Sequence, residues 1–79
     1  MPFQPHIVDE LNVLMKFSRH TMQQGIKVHH DADPATIEAT ERLYSKGIVS
    51  QIDGGYLTDR GVEVAKIANS LIDVLEPKV

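Results

Sequence analysis

The sequence predicts a mainly helical α+β domain, three to four helices with one short β-hairpin, and three observations carry that prediction. Apolar residues recur at helical spacing toward both ends of the chain. Asp33-Pro34 and Lys46-Gly47 bracket a further helical stretch. Asp53-Gly54 lies between two short runs of β character. With 79 residues and 42% hydrophobic content the chain can enclose one modest core, so a single domain is expected.

Met1-Pro2-Phe3-Gln4-Pro5 holds two prolines, which favour extended backbone. Residues 1–6 are therefore expected as an arm, with Phe3 folding back onto a body that spans 7–79. The first helix follows, with Ile7, Val8, Leu11, Leu14, Met15 and Phe17 as its apolar stripe. Asp9 and Glu10 would stand in its opening turn and Lys16 and Arg19 near its end, both favoured by the macrodipole. Ser18 to Gln24 either prolongs that helix or forms a second short one, and Ser18 as an N-cap with Gly25 as a stop favours a break near Ser18. Gly25 to His29 alternates apolar with polar and suits an extended or edge strand.

Asp33 caps the next helix and Pro34 takes its first position, where the missing N–H is not required. Ile37, Thr40, Leu43 and Tyr44 form its stripe up to about Lys46, and Gly47 is the left-handed stop. Ile48 to Ile52 and Gly55 to Leu57 then read as strands joined by a two-residue type I′ turn at Asp53-Gly54. Thr58 caps the last helix, and Gly61 in its first turn implies a close approach of backbones. From Asp59 to Leu75, the residues Val64, Ala65, Ile67, Ala68, Leu71, Ile72, Val74 and Leu75 cover an arc of about 180° at about 100° per residue. One side of a small domain needs a stripe little wider than about 100°, so the surplus points to a second surface.

Composition narrows the function classes. The absence of cysteine removes disulfides and thiolate zinc sites, and the cytoplasm is the expected compartment. No apolar run is long enough to cross a bilayer, and no basic stretch followed by an apolar core marks a secretory leader. A formal charge of −3 argues against a surface built throughout to hold nucleic acid. The charge is uneven, however. Leu11 through His30 contains no acidic residue but holds Lys16, Arg19 and Lys27, while most of the acid lies in the C-terminal half.

The order helix, Lys46-Gly47-Ile48-Val49, hairpin, Gly54-Gly55-Tyr56-Leu57-Thr58-Asp59-Arg60-Gly61, long helix resembles the wing region of winged-helix regulators of the MarR and PadR kinds over about Ile37 to Ala68. Gly25-Ile26-Lys27-Val28-His29 joined to the Gly-Gly-Tyr-Leu-Thr segment also looks like a small family of uncharacterised gammaproteobacterial proteins of similar length. The winged-helix resemblance implies a recognition helix ending near Lys46, a wing at Asp53 to Gly55 and a dimerising helix from Thr58. The residues depart from that pattern, because Glu38 and Glu41 accompany Arg42 and Lys46, and the wing is short with Asp53 at its tip.

Two sets of site residues follow. Lys16, Arg19, Lys27, Arg42 and Lys46 are the candidates for nucleic-acid contact, and Val64, Ile67, Leu71, Ile72, Val74 and Leu75 for a homodimer interface. His29-His30-Asp31 with Asp33 is the only cluster resembling metal ligands, and a tight site would need His6 or His20 as well. Solvent-exposed surface histidines are the simpler reading, so no metal or cofactor is expected. No nucleophile elbow or phosphate loop is present, so the chain reads as non-enzymatic. Tyr44 and Tyr56 are expected in the core with hydroxyls at its rim. The expectation is a winged-helix-like regulatory module, homodimeric through its last helix, with duplex DNA as one target and a partner protein as the alternative.

Overall fold

The computed structural model describes residues 4–18 and 25–76. In chain order the elements are α1 (Pro5–Ser18), β1 (Ile26–Lys27), α2 (Pro34–Ser45), β2 (Val49–Gln51), β3 (Gly54–Leu57) and α3 (Asp59–Leu75). The strands form one antiparallel sheet in the order β1-β3-β2, and α1 packs against both α2 and α3. The stretch from Gly25 to His29 thus supplies a two-residue edge strand, and the hairpin gains a third member. Phe3, Arg19, His20 and the proposed short helix beyond Ser18 lie outside the described residues.

α1 begins at Pro5, earlier than the expected arm boundary allows. Pro5 takes the first helical position, which tolerates a missing donor, and the Gln4 carbonyl accepts from the amides of Ile7 and Val8 at 3.0 and 3.1 Å. Asp9 and Glu10 consequently fall in the second turn, away from the exposed N-terminal amides. The buried face is also rotated from the expected stripe. Glu10, Val13, Leu14 and Phe17 are buried, whereas Val8 is exposed.

The core joins Val13, Leu14 and Phe17 of α1 to Ala39 and Leu43 of α2 and to Ile48 and Val49, with Ile26, Leu57 and Val64 packed around them. In α2 the buried positions are Ala39, Thr40 and Leu43, and Tyr44, expected inside, is 45% exposed. Tyr56 is likewise exposed, on β3. A tyrosine loses little by leaving its phenol in water, while Ala39 allows the closer helix contact.

The ends of α2 follow the sequence signals. The Asp33 carboxylate accepts from the Ala35 amide at 3.4 Å, and Pro34 stands at the start. At the other end the Gly47 amide donates to Tyr44 O at 3.0 Å and the Ile48 amide to Leu43 O at 2.9 Å. This is the paired bonding of a Schellman stop, with Ile48 and Leu43 in contact within the core.

The hairpin turn differs from the expected one. Its tip is Ile52-Asp53, between the paired residues Gln51 and Gly54, and neither tip residue has a positive φ. A type I′ turn requires positive φ at both central residues, so Asp53-Gly54 does not form one. Positive φ instead falls on Gly54 (123°) and Gly55 (71°). The register shifts between Gln51↔Gly54 and Val49↔Leu57, so Ser50 faces two residues of β3 across a bulge. The Ser50 hydroxyl accepts from the Tyr56 amide at 2.9 Å and satisfies a donor that the bulge displaces.

α3 starts at Thr58, whose hydroxyl accepts from the Gly61 amide at 3.0 Å and donates to Gly47 O at 2.6 Å. The Thr58 amide donates to Ile48 O at 3.0 Å. The implied close approach at Gly61 is present, since a β-carbon there would collide with the Ile48 carbonyl.

Candidate functional site

Glu10 organises the charge between α1 and α2. Its carboxylate receives Arg42 Nε on Oε2 at 2.8 Å and Lys46 Nζ on Oε1 at 2.5 Å. Arg42 also donates through Nη2 to the His6 carbonyl at 3.0 Å. Glu10 is only 6% exposed. Burial alone would push its pKa up, but the hydrogen bonds and charges of Lys46 and Arg42 outweigh burial and hold it below the ordinary carboxylate value. The clasp occupies two of the five cations proposed for nucleic-acid contact. Arg42 and Lys46 are directed at a carboxylate of their own chain, and their field at the surface is correspondingly reduced.

Lys16 and Lys27 are exposed and line one shallow concavity of about 440 Å³ together with His29, Asp31 and Thr36. A neighbouring hollow of about 320 Å³ joins Lys27, His29 and His30 to Glu41, Ile52 and Asp53. Both hollows mix signs of charge. Arg19, the fifth cation, lies outside the described residues. Among the described residues no three His, Cys, Asp or Glu side chains are grouped to hold a metal ion.

The apolar arc of α3 divides between two environments. Gly61, Ala65 and Ala68 are buried against the body, and Val64 packs at the edge of the core. Ile67 is 69% exposed, and every residue from Ser70 to Glu76 is exposed, with Val74 at 75% and Leu75 at 65%. Leu71 and Ile72 are exposed less fully. Five of the six residues proposed for self-association therefore lie open along the C-terminal half of one helix, and Val64 is half-buried at the edge of the core. Isolated turns of helix are marginal in water, so so much apolar surface on one is notable.

The Glu10 clasp is not singled out by charge composition, which assigns the residue to the helix dipole. Its spacing does carry a signal, because Glu10, Val13, Leu14 and Phe17 recur at three, four and seven residues and share one face. An acid on such a face requires cationic partners from the neighbouring helix.

Among the described residues the architecture is a small α+β domain of three helices and a three-stranded antiparallel sheet, and no helix there is long and apolar enough to cross a membrane. A model of a family of unknown function, DUF5669, matches residues 1–76, and the chain belongs to that family. No curated protein and no solved structure matches the chain.

Proposed function

We propose that the chain is a non-enzymatic, winged-helix-like adaptor of the cytoplasm that associates with a copy of itself through the C-terminal half of α3. The observation that carries this reading is the run from Ser70 to Glu76, exposed throughout and containing Leu71, Ile72, Val74 and Leu75. Leaving those side chains in water forgoes roughly 1.5–3 kcal/mol for each one that a partner could fully cover. The winged-helix likeness rests on the sequence from α2 through the β2–β3 hairpin into α3, the order in which such modules set a helix, a wing and a pairing helix. The short tip at Ile52-Asp53 suits a hairpin that joins two helices better than one that reaches into a groove.

Solution mass tests the adaptor reading. The wild-type chain is expected as a dimer at micromolar concentration or above, and Leu71→Glu or Ile72→Glu is expected to yield a monomer with unchanged helix content. A wild-type chain that remains monomeric at high concentration overturns it.

Duplex DNA is the second reading, supported by Lys16 and Lys27, both exposed and lining one hollow. Phosphate binding would show as retention on heparin that falls steeply with salt and is reduced by Lys16→Glu. Absence of retention at low salt dismisses it.

A further inference from the structure

Within that self-association reading, we infer that the two copies of α3 pair antiparallel, with Ile67 of one copy against Leu71 of the other. Val64, Ile67, Leu71 and Val74 follow the three-four-three spacing of a two-helix seam, which keeps one narrow face toward a partner helix. That spacing fits a second helix better than a strand or a loop. The face is open along most of its length, since Arg60, Glu63, Ile67, Ser70, Leu71 and Val74 are all exposed. A second copy can therefore lie beside the helix without disturbing the buried line of Gly61, Ala65 and Ala68.

The direction follows from charge. The first half of α3 carries Asp59, Arg60, Glu63 and Lys66, which cancel. The last turns carry Asp73 and the cap residue Glu76 with no basic residue in the final turn, at the end where the helix dipole is already negative. Parallel pairing would bring two such acidic last turns side by side. Antiparallel pairing sets each beside the neutral half of the other copy, near Arg60 and Lys66, and opposes the two dipoles favourably. It also matches all four seam positions, with Val64 facing Val74 and Ile67 facing Leu71.

Cross-linking distinguishes the two directions, because the chain has no cysteine and an introduced thiol is unique. In the antiparallel pair the two copies of residue 70 lie about 3 Å apart along the axis, and those of residue 74 about 15 Å apart, at a rise of about 1.5 Å per residue. Ser70→Cys in the full chain, treated with a short bismaleimide, is expected to give covalent dimer at ten times or more the yield of Val74→Cys. Both positions are exposed, and circular dichroism would verify that both variants fold. A higher yield from Val74→Cys indicates parallel pairing and overturns the inference, as do equal yields, which indicate contact without defined register. Either result leaves self-association standing if the wild-type mass is that of a dimer. A monomeric wild type overturns the adaptor reading and this inference together.

Discussion

Gly61 lies so close to the Ile48 carbonyl that the first turn of α3 and the exit from α2 share one point of backbone contact. The first turn of a helix ordinarily gains from alanine, by about 1 kcal/mol over glycine. Here the added methyl has backbone rather than a movable side chain in its way. Gly61→Ala is expected to destabilise the domain by about 1–3 kcal/mol, the range for overpacking, measured by urea unfolding. An increase in stability would show that the two segments separate easily.

Thr58 acts at the same junction through both capacities of its hydroxyl, accepting from Gly61 N and donating to Gly47 O. Thr58→Ala is expected to cost about 0.5–2 kcal/mol, as for other helix caps. Thr58→Ser retains the hydroxyl and should recover most of the loss. Equal losses for both variants would place the effect on the methyl group instead.

Glu10 makes stability depend on pH with a definite sign. Its folded pKa is lowered, so its contribution is fully present above the ordinary carboxylate range and is lost as pH falls through the lower folded value. Glu10→Gln is expected to cost about 1–3 kcal/mol at neutral pH, the scale of hydrogen bonds to charged groups. The difference from wild type should shrink as the solution is acidified, and urea midpoints across that range would measure it.

The same substitution releases two cations. With Glu10 neutral, Arg42 and Lys46 no longer face a carboxylate, and the net charge rises by one. Heparin elution of Glu10→Gln is expected at higher salt than wild type, whereas Lys46→Gln in the Glu10→Gln background should return it toward the original position. An unchanged profile would mean that Lys16 and Lys27 account for whatever anion affinity the surface has.

Local punctuation in the sequence translates directly into structure, and side-chain direction does so less. Asp33-Pro34, Gly47 and Thr58 mark helix ends because each changes the availability of backbone donors or the permitted φ, effects that act within a few residues. The two-residue turn falls one position earlier than Asp53-Gly54 because the positive φ of Gly54 and Gly55 serves the bulged strand β3, where pairing with β1 holds it: Lys27 faces Gly54, and the Val28 amide reaches Asp53 O at 2.8 Å. Glu10 eluded a reading by charge position because its role depends on Arg42 and Lys46, more than thirty residues away. The exposed apolar face of α3 was legible as surplus apolar arc, since the body had only one side to offer it. The third strand was visible only as a short alternation, too brief to specify its neighbour.

At the start of α3 the Gly47 and Ile48 carbonyls, just past the end of α2, accept from Thr58 and stand beside the first turn. A phosphate or carboxylate arriving at the start of α3 would find the Gly61 donor already engaged by Thr58 and the local field softened by the oxygens beside it. The junction is therefore a poor landing place for anions.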